Sequence, residues 1–293
     1  MNDKFKELII NTPDYVFIPV EEESLCLLKS RNVYSLSLIG KLNNNNVFSS
    51  VSGKAIGMGK NITTSGEMNT LVIENNFKDM KQFLYPAVRS FSTYKKEEIK
   101  ELLEKFSLLK TNVSNNVLCI YIEYIKDTLI TDSYIFNKYV KEILETIDLL
   151  SEFYSSKSIK IIVNNKDDLS SYLIRNYIGT YPNMEVIYSS SSLKEDVKKI
   201  IIKNKNIIEY SLSSLLSCYI ALKYKKYNNV NYISLKYKDH LYVCETINGI
   251  SVKDILSSSS INEENITLRG TKTVDTTASD SIITEDINSI LVK

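Results

Sequence analysis

Two short runs of β-branched residues enclose a helical pattern in the middle of the chain, and this arrangement restricts the fold more than any other feature. The runs Val117–Ile122 and Ile159–Val163 are bounded by Asn, Asp and Ser residues, and they predict two buried strands. Thr131, Asp132 and Ser133 offer side-chain oxygens where a helix should start. Strand, helix and strand at these lengths predict a right-handed βαβ unit. The apolar residues with helical spacing are Ile135, Phe136, Tyr139, Val140, Ile143, Leu144, Ile147 and Leu150.

Ligands of such units bind beyond the carboxyl ends of the strands, which here is the segment Glu123–Asp127. This segment contains no glycine. Glycine lets backbone N–H groups approach a phosphate closely, and bulky residues prevent that approach. Glu123 and Asp127 form either a residual acidic site or part of a solvated loop, and the solvated loop is favoured.

Length and charge restrict the classes of protein that remain. The chain has 293 residues, which is enough for one large domain or two to three small ones. Its 36 basic and 35 acidic side chains nearly cancel, so no global field favours nucleic acid. No apolar run reaches the length of a membrane span, and the N-terminus shows no signal peptide. The widely spaced cysteines indicate a reducing, cytosolic setting.

Residues 1 to 85 predict a compact β module, because short strand patterns alternate with Gly and Asn turns. Gly53 and Gly249 are interpreted as turn glycines. The single histidine, His240, is expected in a turn and cannot form a histidine pair for a metal or for acid–base chemistry. The predicted strands of this module are Tyr15–Val20, Val33–Ile39, Val47–Ile56 and Asn69–Asp79.

The remaining patterns predict an α/β region followed by strands. An amphipathic helix is expected at Lys95–Phe106, and after the βαβ unit a further α/β repeat should follow. From Val230 to Leu256 the pattern returns to strands with a turn at Lys238–His240. The other predicted elements are helices at Asp167–Tyr177, Leu193–Lys203 and Ile207–Tyr224 and a strand at Met184–Tyr188.

Several phrases, in the same order along the chain, resemble the C subunit of the Rnf complex (RnfC), a membrane-bound ferredoxin–NAD oxidoreductase. They are VFSSVSGKAIGMGK from Val47, NTLVIENNFKD from Asn69, VLCIYIEYIKDTLITD from Val117, and the segment Asn248–Leu256. The resemblance implies an α/β multidomain fold of three modules. These are a lipoyl-like barrel-sandwich hybrid at 1–85, a Rossmann-like domain at 86–229, and a β-grasp module of the soluble-ligand-binding type (SLBB) with a closing strand at 230–293.

The nucleotide loops of the RnfC family are not matched. The glycine-rich loop that follows the family's first helix is replaced by Ser107–Asn112, and the Asn-Gly-Ala-Glu-Cys-Glu-Pro turn by Tyr121–Asp127. A further Gly-Gly loop is replaced by Tyr188–Glu195. No tight Cys-x-x-Cys spacing occurs, and Cys119 and Cys218 are expected to be buried apolar residues. The degenerate nucleotide-site positions are Tyr121, Glu123, Tyr124, Asp127, Ser191, Ser192 and Lys194.

The resemblance therefore implies a degenerate, C-terminally truncated RnfC-like pseudoenzyme. The family's NADH/ferredoxin oxidoreductase activity is not expected from this chain alone, and neither are its FMN, NADH and 4Fe–4S cofactors or any metal. The expected partners are membrane subunits of an Rnf-type complex and a ferredoxin-like protein, at the cytoplasmic face of a bacterial membrane. The alternative is a residual flavin- or NADH-binding subunit that passes electrons to a separate ferredoxin-like chain. A third hypothesis is a ligand-sensing or structural module that uses the β-grasp part alone.

Overall fold

The computed structural model describes residues 6–23, 30–78, 90–111, 116–190, 206–270 and 272–293. The predicted helix Leu193–Lys203 lies outside these ranges. The helices are α1 (Lys96–Lys105), α2 (Thr131–Lys138), α3 (Val140–Tyr154), α4 (Asp168–Tyr177), α5 (Leu212–Tyr224) and α6 (Val252–Ser258). The strands are β1 (Lys6–Ile9), β2 (Tyr15–Pro19), β3 (Asn32–Val33), β4 (Leu38–Leu42), β5 (Asn45–Phe48), β6 (Gly53–Thr63), β7 (Gly66–Asn75), β8 (Val117–Ile122), β9 (Ser158–Asn164), β10 (Met184–Ser189), β11 (Ile207–Tyr210), β12 (Val230–Tyr237), β13 (His240–Ile247), β14 (Asn265–Arg269), β15 (Thr273–Thr277) and β16 (Ser289–Val292).

The chain divides into two compact units. The first unit joins Met1–Tyr85 to Lys226–Lys293, and the second is Pro86–Lys225. Helices and several sheets occur together, so the expected mixed α/β class is confirmed. The division into three named modules stays a prediction.

The second unit is built on a parallel sheet with the strand order β10-β9-β8-β11. β8 and β9 pair in register from Val117 opposite Ser158 to Ile122 opposite Val163. All six side chains of β8 are buried, as expected for a strand inside a sheet that is covered on both faces. The βαβ unit predicted from these two strands is confirmed.

Three details of the second unit differ from the predictions. Tyr139 has φ −130° and ψ 31°, which divides the single predicted helix into α2 and α3. The helix begins at Thr131 as expected, but Ile130 occupies the N-cap position and no side chain caps it, so the predicted cap was wrong. The predicted helix Ile207–Tyr224 was wrong in its first four residues, because Ile207–Tyr210 pair with β8 as a parallel strand.

The first unit contains a long hairpin of β6 and β7 within the sheet β2-β7-β6-β3. Gly53 begins β6 opposite Asn75, and a Cβ atom at Gly53 would lie 2.0 Å from the carbonyl oxygen of Glu74. Only glycine therefore permits this close approach of the two strands. The interpretation of Gly53 as a turn glycine was wrong, because it lies in a strand.

Two of the predicted N-terminal strands are each divided in two. Leu36 has φ +66°, a left-handed conformation that a strand cannot contain, and it separates β3 from β4. Its N–H group donates to the carbonyl oxygen of Ser49 at 2.8 Å. The predicted strand Val47–Ile56 is likewise shared between β5 and β6. Single strands at Val33–Ile39 and Val47–Ile56 were therefore wrong predictions.

The first unit also contains the two-stranded sheet β4-β5 and a six-stranded sheet with the order β1-β13-β12-β16-β14-β15. Its core is closed by α6, whose Ile255 and Leu256 pack with Ile233, Ile266 and other fully buried residues. Gly249 occupies a turn, as predicted, at φ +86°. His240 is the exposed first residue of β13, so its placement in a turn was wrong by one position.

Candidate functional site

The carboxyl edge of the parallel sheet is the place where the sequence predicted a degenerate nucleotide site. The chain passes from β8 through β9 to β10 on one side and then returns to β11 on the other side of β8. The strand order thus reverses between β8 and β11, and ligands of open parallel sheets bind in the crevice at such a point. The loops that follow β8, β9 and β11 form the described part of this edge.

The loop after β8 is a tight turn formed by its own backbone. The N–H groups of Thr128 and Leu129 both donate to the carbonyl oxygen of Ile125, and Ile125 donates back to Leu129 at 2.9 Å. Asp127 lies at the tip, exposed and with φ +65°, and Glu123 is half-buried at the start of the turn. Asp127 is therefore exposed to solvent, as expected for the solvated loop that was favoured for this segment.

Backbone N–H groups at this edge already have acceptors within the protein. After β8, the N–H of Glu123 donates to Asp132 Oδ2 at 3.0 Å. After β9, the N–H of Lys166 donates to Asn164 Oδ1 at 2.9 Å. After β11, the N–H of Ser214 donates to Ser211 Oγ at 3.2 Å. Phosphate binding at a helix N-terminus uses such groups as free donors, so these loops offer a phosphate few of the donors it needs.

Asp167, which sequence analysis did not select, is a buried polar centre of the same edge. It is the N-cap residue of α4 and only 2% exposed. Its Oδ1 atom accepts from Ser170 N at 3.1 Å and from Ser133 Oγ at 2.9 Å, which ties the first turn of α2 to that of α4. Its Oδ2 atom is buried and has no hydrogen-bond partner among the described residues. An Asp that follows a strand and precedes a helical pattern is the sequence signal that identifies this cap.

The electrostatics of this edge are unfavourable for a phosphate. Burial, and then the negative charges of Asp167, Asp127 and Asp168, raise the pKa of the Tyr124 phenol. The negative charges of three carboxylates therefore reach the Tyr124 hydroxyl group. Lys126 and Lys166 in the same loops are exposed, as are Asp127 and Asp168, so solvent screens charges of both signs there, whereas Asp167 is a buried carboxylate. Within the described ranges, no group of three or more His, Cys, Asp and Glu side chains is placed to hold a metal ion.

The described residues do not fit a flavin phosphate or the pyrophosphate of NADH. Donors that such groups would need are bonded within the protein, and the nearby charge is acidic. Tyr121, one of the predicted positions, is buried and packs with Cys119 and Ile162. Ser191, Ser192 and Lys194 lie outside the described residues.

Two buried tyrosines fix the segment that stands where the glycine-rich loop of the RnfC family is expected. Lys110 N–H donates to the Tyr154 hydroxyl at 2.9 Å. The two phenol oxygens lie 2.8 Å apart, and the Tyr210 hydroxyl donates to the carbonyl oxygen of Leu108 at 3.0 Å. Tyr154 thus donates to Tyr210, and the chain of three bonds holds Leu108–Lys110. We call Tyr154 and Tyr210 the tyrosine pair.

The described cysteines are buried, as predicted for Cys119 and Cys218. Burial raises the pKa of the Cys218 thiol to about 12, and it raises that of Cys244 to about 12 as well. Both thiols are protonated at neutral pH, and thiolates are the form that binds metals or acts as a nucleophile. Cys26 lies outside the described residues.

Comparisons with known proteins give no family assignment. No family model matches the sequence, and a comparison with curated protein sequences finds no match. Among solved structures, the chain is similar to a chain of an NAD+-reducing NiFe hydrogenase in the air-oxidized state, with 6% identity over 64% of this chain and a TM-score of 0.46. The H2-reduced state gives 7% identity over 71% of this chain and a TM-score of 0.45. The chain spans 42% and 44% of the lengths of those two chains, and similarity at this level does not assign its fold or function.

Proposed function

We propose that this chain is a non-catalytic subunit or adaptor of a membrane-associated electron-transfer complex of the ferredoxin–NAD oxidoreductase type. It holds no FMN, NADH or iron–sulfur cluster of its own. Its role is to place partner subunits that carry the cofactors.

The class of complex rests on the sequence resemblance to RnfC. Four phrases follow the order of that family along the chain, and the phrase from Val117 lies on β8 and the start of α2. The fold at this point is the strand, turn and helix that a Rossmann-like domain requires. The architecture thus supports the resemblance at the position where a nucleotide site would lie.

The non-catalytic role rests on one observation, the occupied donors at the carboxyl edge. Glu123, Lys166 and Ser170 each direct a backbone N–H group at an acceptor of the chain itself. Opening these bonds to admit a phosphate would remove one backbone donor from each of Asp132 and Asp167 and would place these carboxylates beside an anion. Such an arrangement opposes phosphate binding on both hydrogen-bonding and electrostatic grounds.

The proposed partners are membrane-spanning subunits and a ferredoxin-like protein at the cytoplasmic face of the membrane. In the described ranges, no helix is long and apolar enough to cross a bilayer.

The test is co-purification from gently solubilised membranes. The tagged chain, expressed at its native level, is isolated in mild detergent, and its partners are identified by mass spectrometry and by flavin and iron content. An unrelated tagged protein at the same level is the control. Membrane-spanning subunits that carry flavin or iron–sulfur clusters, enriched with this chain and not with the control, are expected. Isolation of the chain alone under the same conditions would count against the proposal.

A further inference from the structure

A cavity is lined only by residues of the first unit, and it takes no part in the function proposed above. Its volume is about 350 Å³, within the range of small-molecule sites. Six segments of the first unit line it, the ones around Asn11, Ser35, Ser50, Asn75, Asn229 and Thr246. Because these segments are distant in sequence, the tertiary fold determines the shape of the cavity.

The Thr246 hydroxyl is the principal unexplained polar group of this cavity. Thr246 is 5% exposed, and its Oγ1 atom has no hydrogen-bond partner among the described residues. Buried hydroxyl groups are normally paired, because an unpaired one loses its bonds to water without replacement. A hydroxyl of this kind in the wall of a cavity indicates a partner that occupies the cavity.

Other polar groups of the cavity wall are held by one hydrogen bond and can form a further one. Ser52 Oγ accepts from the N–H of Ser35 at 2.9 Å, and its own proton remains to be donated. The amide nitrogen of Asn229 donates to the carbonyl oxygen of Ser50 at 3.1 Å, which leaves its amide oxygen as an acceptor. The wall therefore presents both donors and acceptors in held positions, which suits a ligand with hydroxyl groups.

An exposed aromatic ring forms part of the cavity lining. Phe77 is 60% exposed, which is unusual for a large apolar side chain. Its backbone is held at φ +55° by a bond from its N–H to Asn75 Oδ1 at 2.9 Å. Lys78 and Glu245 are both exposed and have opposite charges, so the lining favours neither sign of ligand.

From this combination we propose that the cavity binds a small, uncharged, ring-shaped ligand that carries several hydroxyl groups. The ring packs on Phe77, and the hydroxyl groups bond to Thr246, Ser52 and Asn229. Sugars and nucleosides share this chemistry and are small enough for the cavity volume.

The test titrates the full chain with D-glucose, D-ribose, adenosine and uridine, followed by ligand-observed NMR. Saturable binding of at least one probe below about 10 mM is expected. If adenosine or uridine binds and D-ribose does not, the ligand is assigned to nucleosides. If D-glucose or D-ribose binds, it is assigned to sugars. No saturable binding of any of the four probes would overturn the proposal.

Two variants and a matched control separate the cavity from other sites. Thr246→Val keeps the side-chain shape and should weaken binding about tenfold through the lost hydrogen bond, without lowering thermal stability. Phe77→Ala should weaken binding by about the same factor or more. Thr70→Val is the control, because Thr70 is fully buried with its hydroxyl bonded to Asn61 Oδ1 at 2.7 Å, outside the cavity lining. This variant should lower stability and leave affinity unchanged. Equal binding in the unaltered chain and both cavity variants would refute the assignment.

Discussion

The tyrosine pair provides a quantitative test of how firmly the chain holds the segment that replaces the expected glycine-rich loop. We consider the single substitutions Tyr154→Phe and Tyr210→Phe and their combination. Each removes one hydroxyl group and keeps the ring, so the packing of two almost fully buried side chains is preserved. The change in stability then reports the hydrogen bonds alone.

The three hydrogen bonds that link Lys110, Tyr154, Tyr210 and Leu108 set the expected losses in the free energy of unfolding. Each substitution removes two of them, and a hydrogen bond contributes about 1 kcal/mol net. Each single variant should therefore lose about 2 kcal/mol, while the double variant should lose about 3 kcal/mol because the bond between the phenols is shared. The double-mutant cycle should give a coupling of about 1 kcal/mol.

Urea unfolding followed by circular dichroism measures these differences. Tyr172→Phe is the control, because Tyr172 is 65% exposed and should change stability by less than about 0.5 kcal/mol. Hydrogen exchange at the Lys110 amide should become faster in Tyr154→Phe and remain slow in the control. Losses below about 0.5 kcal/mol in both single variants, or strictly additive losses, would refute the hydrogen-bonded chain.

Three further outcomes follow from individual contacts. Burial raises the pKa of both phenols of the tyrosine pair above the ordinary 10.0. Their contribution to stability is therefore full below pH 10.0 and is lost as the pH rises above that value. The midpoint of urea unfolding should fall over this alkaline range, and it should fall less in Tyr210→Phe. Gly53→Ala should cost more than about 3 kcal/mol in urea unfolding because of the approach to Glu74, whereas Gly57→Ala, with no atom within 4 Å of the added carbon, should cost under about 1 kcal/mol. Three of the 4 thiols are buried, so a thiol reagent should react rapidly with at most one before unfolding, and fast labelling of Cys218 or Cys244 would contradict their placement.

The central βαβ unit could be predicted because its signals are local. Short apolar runs rich in β-branched residues at Val117–Ile122 and Ile159–Val163 favour buried strands, and both strands occur within one residue of the prediction. Two of the errors arose where one residue interrupts a continuous apolar pattern. Tyr139 continues the helical spacing and yet ends α2, and Leu36 continues an alternating pattern and yet adopts a left-handed conformation. Periodicity does not report such breaks.

The candidate site was predictable in position but not in contacts. The carboxyl edge and its lack of glycine follow from the order of residues along the chain. The bond from Glu123 to Asp132 and the linkage of Ser133 to Asp167 depend on how α2 and α4 meet the sheet, which no local pattern specifies. Thr246 could not be selected for the same reason, since its environment comes from segments distant in sequence.

The most direct test of the central claim is the visible absorbance spectrum of the purified protein, recorded before and after NADH is added. Added FMN should be titrated against the same sample by calorimetry. We predict a colourless protein with no spectral response to NADH and no saturable FMN binding. A flavin spectrum that bleaches on addition of NADH would show that a nucleotide site exists. It would contradict the claim that the backbone donors at the carboxyl edge are bonded within the protein and do not bind a phosphate.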